Sequence, residues 1–178
     1  MIHKEQHVSE ETILNARAAY YGMITNMDQQ IGQVKKSWND YLNRTSRKGV
    51  FVYLSDHGDQ VGEKDLFGKQ SFFELSSKIP MIFEGEGIKA NERIDEATSI
   101  MDLGPTLCDI VGATPPPAQD GKSLINAINQ GEEDLDRYVL CEFMETDPSG
   151  RSIPCRMIKQ GKWKLISYAF YENDDLLF

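Results

Sequence analysis

The sequence contains few cysteines and no long apolar run. Because the three cysteines are widely spaced and include no CxxC pair, we expect reduced, mostly buried thiols rather than a disulfide framework or a zinc site. No apolar run approaches the roughly 18 residues of a membrane span, and residues 1–10 contain no apolar signal-peptide core. We therefore expect a soluble chain that does not associate with membranes, and its compartment stays open. The cysteines are Cys108, Cys141 and Cys155.

Basic residues are scarce relative to acidic ones. The 19 Lys and Arg against 28 Asp and Glu give a net charge of −9 and a pI of about 4.8. A general nucleic-acid binder needs a basic face for the phosphate backbone, so that class is not expected. A small anionic substrate needs only one local positive cluster and is not excluded. With 178 residues, 40% of them hydrophobic, the chain suits one globular domain or a domain with a small appendage.

The first quarter of the chain predicts a long amphipathic helix. Apolar residues recur in steps of three and four from Ile13 to Tyr41. Ser9 is a suitable cap at its start, and the pattern fades near residues 42–44.

Two strands are predicted after this helix. Residues 50–54 (VFVYL) are apolar on both faces, which predicts a fully buried, parallel strand. Residues 79–83 predict a second buried strand, with Pro80 at its start or on an edge. A long helix combined with buried strands indicates an α/β arrangement.

The second half of the chain predicts a smaller α+β unit. Asp102 is a candidate cap for a helix that Gly112 ends. The proline run at residues 115–117 is the clearest boundary signal, so we divide the chain into residues 1–118 and 119–178. A short helix is predicted at 123–128 and strands at 138–143, 156–159 and 163–168, the last two joined by a tight turn at Gln160-Gly161.

Asp56-His57-Gly58 directly follows the first predicted strand. Ligands bind at the carboxyl ends of strands in open α/β sheets, so this position suits a functional site. Gly58 permits a turn that brings the carboxylate and the imidazole toward one ion, and this donor pair suits a divalent metal. The alternative is that Asp56 caps the next turn and His57 is an ordinary polar loop residue.

The wider pattern resembles a segment of the sulfatases. Residues 55–80 carry, in order, SDHGD, GE, GK, FFE and P. This order resembles the second metal-binding segment of sulfatases, within the alkaline phosphatase-like superfamily, and is most similar to choline-sulfatase, iduronate-sulfatase and phosphonate-hydrolase members. The resemblance extends to the helix before this segment, to residues 102–112, to the DGKSL at 120–124 and to the strands around 156–166.

The resemblance implies a fold and three residue roles. The fold would be a partial alkaline phosphatase-like sandwich, with a mixed, largely parallel sheet and helices, plus a small α+β carboxyl-terminal subdomain. Asp56 would be a carboxylate ligand of a divalent metal, usually calcium, with manganese or magnesium as alternatives. His57 would be a ligand or would contact the substrate beside the metal. Lys69 would bind a sulfate oxygen and stabilise developing charge, a role that suits a cation; the alternative is a solvated loop lysine.

The resemblance also implies that part of the active site lies outside these residues. The family nucleophile is a cysteine or serine converted to formylglycine, in a C/S-x-P/A-x-R segment near the amino terminus, and no such segment is identified in this chain. We therefore expect the carboxyl-terminal part of a sulfuric ester hydrolase whose substrate is a small sulfate ester. The alternatives are a phosphoester or phosphonate hydrolase and a non-catalytic binding module. We also expect weak metal binding, and self-association through an exposed apolar face.

The remaining residues of the loop are interpreted as structural. Glu63, with Asp59, Lys64 and Asp65, is interpreted as a solvated charged face. Phe72, Phe73 and Glu74 are interpreted as shaping the loop, and Phe67 as lining a pocket or packing in a core.

Overall fold

The computed structural model describes residues 8–146, 149–169 and 176–177, the last two by their backbone. Residues 1–7, 147–148, 170–175 and 178 lie outside the described residues. The chain forms two compact units, with the boundary between Glu86 and Gly87. The boundary predicted at residue 118 concerns a family core and its subdomain, and it stays a prediction. No described helix is both long enough and apolar enough to cross a membrane.

The first unit begins with helix α1, which spans Glu10–Thr45. Ser9 caps it as predicted, because its hydroxyl accepts a hydrogen bond from the amide of Thr12 at 3.2 Å. The helix ends at Ser46, whose left-handed backbone (φ 51°) directs its amide to the carbonyls of the last turn. The periodic pattern therefore predicted this helix to within a few residues.

A two-stranded sheet forms from β1, Val50–Leu54, and β4, Met81–Gly85. The two pair antiparallel, so the predicted parallel arrangement is wrong. All five residues of β1 are half-buried rather than fully buried. A run that is apolar on both faces is typical of buried parallel strands but does not require that arrangement. Between them lie β2 (Gln60–Val61), a 3₁₀ turn (Glu63–Asp65), β3 (Phe67–Gly68) and helix α2 (Glu74–Ser77).

The second unit is a four-stranded antiparallel sheet with short helices. The predicted tight turn is confirmed, since Gln160 pairs with Trp163 across Gly161 at φ 47°. Both units combine helices with strands, so the fold is mixed α/β. The elements are a 3₁₀ turn (Ile100–Asp102), α3 (Leu103–Val111), α4 (Ile125–Gln130), β5 (Tyr138–Thr146), β6 (Ser152–Gln160), β7 (Trp163–Tyr168) and β8 (Leu176–Leu177), with the strands in sequence order across the sheet.

A fully buried carboxylate, that of Asp102, ties the loops of this second unit together. It accepts hydrogen bonds from the amides of Ser99 (2.7 Å) and Lys122 (2.8 Å) and from the guanidinium of Arg137 (2.6 Å). Asp102 occupies the N-cap position of α3, as predicted, but its side chain makes no capping hydrogen bond there. Its backbone is already helical, at φ −73° and ψ −18°, so the side chain cannot fold over the first turn of α3.

All three cysteines are free. Cys155 is fully buried, whereas Cys108 and Cys141 are half-buried. Burial raises the pKa of the Cys155 thiol, and the nearby carboxylate of Glu145 raises it further. This keeps the thiol protonated and weakly nucleophilic.

Candidate functional site

The backbone after β1 turns sharply at Asp56-His57-Gly58. The amide of His57 donates to Oδ1 of Asp56 at 2.9 Å, and the amide of Gly58 donates to the carbonyl of Ser76 in α2 at 2.8 Å. A Cβ on Gly58 would lie 2.0 Å from the carbonyl oxygen of Leu75. Glycine is therefore required here by the close approach of α2, and the turn fixes the direction of the His57 ring.

Lys69 lies at the far end of the same loop, immediately after β3. It is flanked by Gly68 at φ 79° and Gln70 at φ 70°, both left-handed. This reversal returns the chain toward β1, and Nζ of Lys69 lies 2.8 Å from Nε2 of His57. Two of the residues predicted for the site, twelve positions apart, are thus in hydrogen-bond contact.

The hydrogen bonds determine the tautomer of His57. An ammonium only donates, so Nε2 of His57 accepts from Lys69 and the ring proton lies on Nδ1. Nδ1 in turn lies 3.0 Å from the carbonyl oxygen of Gly58, to which it donates. His57 is therefore a neutral imidazole held at both nitrogens.

Asp56 completes the cluster, with Oδ2 3.4 Å from Nε2 of His57. The hydrogen bond from the His57 amide lowers the pKa of the Asp56 carboxyl; desolvation partly opposes this, and the charge of Lys69 makes a smaller lowering contribution. The side chain of Asp56 is 82% exposed and that of His57 is 32% exposed. An ionised, accessible carboxylate beside an imidazole nitrogen suits a divalent metal ion as two of its ligands. Among the described residues, no cluster of three or more His, Cys, Asp or Glu side chains could hold a metal.

Two residues that anchor this loop were not predicted. Arg17 of α1 donates to the carbonyl of Val61 at 2.8 Å and forms an ion pair with Glu63 at 2.8 Å. Glu63 also accepts from the amide of Val61 at 3.2 Å, so this side chain, although 40% exposed, has partners in the loop as well as solvent. The pair spans 46 positions of sequence and leaves no periodic signal. Phe67 is 44% exposed, which excludes the interpretation that it packs in a core.

Contrary to the interpretation of the sequence, the letters of the family nucleophile pattern do occur, in Ser152-Ile153-Pro154-Cys155-Arg156. It lies within β6 of the second unit, where Ser152 pairs with Thr146 and Arg156 donates to Glu142 at 2.6 Å. The stretch is extended, and its arginine forms an ion pair within the sheet. A short motif in this setting does not indicate a nucleophile.

Two protein-family models match most of the chain. The sulfatase model matches residues 3–113, and the model of the carboxyl-terminal region of N-sulphoglucosamine sulphohydrolase matches residues 62–178. The first contains the whole Asp56, His57 and Lys69 cluster.

Individual relatives agree with these models. The chain is 31% identical to arylsulfatase K of Mus musculus over 90% of its length, and 33% identical to choline-sulfatase of Rhizobium meliloti over 89%. It spans 30% of the length of each of these relatives. In structure it resembles a phosphonate monoester hydrolase from Silicibacter pomeroyi with a TM-score of 0.79 and 25% identity, covering 98% of this chain and 36% of that one. The chain therefore belongs to the sulfatase family.

Proposed function

We propose that this chain contributes the metal- and anion-binding part of a metal-dependent sulfuric ester hydrolase. The observation that carries the proposal is the contact of Lys69 with His57 at 2.8 Å, beside the carboxylate of Asp56. A sulfate ester needs a cation where charge develops and fixed donors around its oxygens. The membership of the chain in the sulfatase family supports the same reaction class.

Lys69 is proposed to bind a sulfate oxygen. Its ammonium has three N–H donors, and His57 accepts one of them. Two donors therefore remain for oxygens of a tetrahedral anion. By accepting one hydrogen bond, His57 orients the ammonium without adding a positive charge of its own.

Asp56 is proposed as the carboxylate ligand of the metal. Calcium is favoured because the carboxylate oxygens of Asp56 are hard, anionic ligands. Nε2 of His57 has one lone pair, which it gives to Lys69 in this structure. His57 can therefore act as a metal ligand only where that hydrogen bond is released, and otherwise it orients Lys69 beside the substrate. Bound metal would supply Lewis-acid polarisation of the sulfuryl oxygens. Formylglycine and further acidic ligands would come from residues other than these.

The exposed apolar surface of α1 supports the view that more protein completes this site. None of the 36 residues of α1 is buried. Exposed apolar side chains in this number along one helix suit an interaction surface. We infer that α1 packs against the remainder of an alkaline phosphatase-like sandwich, and that copies of the chain alone associate through it. The exposed apolar residues of α1 are Leu14, Tyr21, Met23, Ile24, Met27 and Val34.

The proposed anion site can be tested on this chain by titrating sodium sulfate at constant ionic strength and following the side-chain NMR signals of lysines. We expect a saturable shift for Lys69, because its ammonium is oriented by His57. Lys78, an exposed lysine of the same unit, is the matched control and should shift little. Equal, non-saturating shifts for both lysines would contradict the proposal.

A phosphonate or phosphodiester hydrolase is the second candidate function. Its support is the likeness to the phosphonate monoester hydrolase, which covers 98% of this chain. Sulfate monoesters and phosphonate monoesters are both tetrahedral and singly charged, so Lys69 alone does not separate them. Competition of phenyl sulfate with phenyl phosphonate monoester in the same titration separates them, and the tighter ligand identifies the substrate class.

A further inference from the structure

The segment that carries Lys69 adopts a backbone that requires external support. Gln70 has φ 70°, a left-handed conformation that is unfavourable for a residue with a Cβ. β3 ends at Gly68, so Lys69 and Gln70 lie outside its ladder. Contacts from elsewhere must therefore hold this segment in place.

A buried side-chain hydrogen bond spans the segment. The hydroxyl of Ser71 donates to Oε1 of Gln60 at 2.9 Å. Gln60 lies in β2 directly opposite Gly68, and both side chains of the bond are almost fully buried, at 2% and 5% exposure. The bond thereby joins β2 to the residue two positions after Lys69.

The same hydroxyl continues the connection toward His57. It accepts from the amide of Phe73 at 3.4 Å, at the start of α2. The carbonyl of Ser76 in α2 accepts from the amide of Gly58 at 2.8 Å, and the carbonyl of Gly58 accepts from the ring of His57. Together with the hydrogen bond from Lys69 to His57, these contacts form a closed ring of hydrogen bonds and backbone that includes α2.

The burial of the Gln60 side chain beside Ser71 lowers the stability of the folded chain. Its amide nitrogen, Nε2, is the one buried side-chain polar atom without a hydrogen-bond partner in the part of the chain that the structure describes. Because Ser71 contacts only one of the two amide atoms, reversing the amide would leave the oxygen unpaired instead. A buried polar atom without a partner is destabilising. An apolar residue at position 60 would avoid this, so burial alone does not favour glutamine.

We infer that Gln60 and Ser71 are positioning residues, which hold the ammonium of Lys69 against Nε2 of His57. The inference rests on the proposed function, in which Lys69 binds an anion while its ammonium contacts His57. Neither residue contacts the reacting groups in this account. They act through the backbone of the segment from Lys69 to Ser71.

The test is the double variant Gln60→Met/Ser71→Ala in the whole 178-residue chain. It replaces both partners by apolar groups, so we expect an unchanged or higher urea midpoint. The decisive readout is ¹⁵N NMR of the His57 ring at about pH 9, where a free imidazole is neutral. The wild type should show the proton on Nδ1, and the double variant should show a mixture of tautomers.

Two further variants separate positioning from general loosening. Ser71→Thr keeps the hydroxyl and should keep the wild-type tautomer. Gln119→Met/Ser37→Ala makes the same chemical changes where both side chains are exposed, and should also keep it. A wild-type tautomer in Gln60→Met/Ser71→Ala, or its loss in Ser71→Thr, would overturn the inference.

The readout contains no metal, anion or turnover. If sulfate fails to shift Lys69 while the double variant still changes the tautomer, the proposed function fails and the positioning role remains. If sulfate shifts Lys69 but the double variant keeps the wild-type tautomer, the anion site is supported and the positioning role of Gln60 and Ser71 is excluded.

Discussion

Nζ of Lys69 lies 2.8 Å from Nε2 of His57, although the two residues are separated by β2, a 3₁₀ turn and β3. The contact fixes the imidazole as the Nδ1-protonated tautomer and leaves two ammonium donors for an anion. The carboxylate of Asp56 lies 3.4 Å from the same nitrogen. The predictions below address this cluster and the packing that holds it.

Lys69→Met should raise the pKa of the Asp56 carboxyl. The pKa lies below its ordinary value mainly because the amide of His57 donates to the carboxylate, and the charge of Lys69 adds to this. The amide remains in the variant, so the pKa should rise only partway. Carboxyl ¹³C titration measures it, with Lys78→Met as control. An unchanged pKa in Lys69→Met would mean that Lys69 does not reach the cluster in solution.

Gly58→Ala should destabilise the first unit by about 1–3 kcal/mol, because the new Cβ would lie 2.0 Å from the carbonyl oxygen of Leu75. Gly22→Ala is the matched control: its Cβ meets nothing within 4 Å inside α1, so it should stabilise by about 0.5–1 kcal/mol. Urea unfolding of both variants measures the opposite signs. Two shifts of the same sign would show that α2 does not approach Gly58 as described.

Asp102→Ala should destabilise the second unit by about 3–5 kcal/mol, since it leaves the buried guanidinium of Arg137 without its closest carboxylate. Arg156→Met is the control and breaks the ion pair of Arg156 with Glu142, in which the two side chains are 67% and 56% exposed. It should change the free energy of unfolding by less than about 1 kcal/mol. Thermal unfolding compares the two. Similar small effects would contradict the buried network.

Ile24→Lys should reduce self-association of the isolated chain. Ile24 is 47% exposed within the apolar surface of α1, and a charge there opposes its burial in a contact between copies. Gln29→Lys changes charge by the same amount at an exposed polar position of α1. Sedimentation velocity over a range of concentrations should show less oligomer for Ile24→Lys alone. A monomeric wild type, or equal effects of both variants, would exclude α1 as the contact.

Local patterns predicted the local structure well. The steps of three and four and the cap at Ser9 located α1, and Gln160-Gly161 located the hairpin between β6 and β7. The position of Asp56 at a strand end was also readable, because it needs only the end of one apolar run. These features depend on neighbours in sequence.

Features that depend on distant partners were not predictable. The direction of β4 beside β1 is set by the path of the loop between them. The ion pair of Arg17 with Glu63 and the hydrogen bond of Ser71 with Gln60 join polar residues that, in sequence, resemble any solvated loop. Only the folded chain brings these partners together.

The measurement that tests the central claim most directly is the broadening of NMR signals by Mn²⁺ in the 178-residue chain. The account predicts weak binding that broadens the signals of Asp56 and His57 first, and that Asp56→Asn abolishes. Asp59→Asn, a loop carboxylate outside the cluster, should leave the effect intact. Equal broadening along the acidic surface, or loss of the effect in Asp59→Asn rather than in Asp56→Asn, would contradict a metal site at Asp56 and His57.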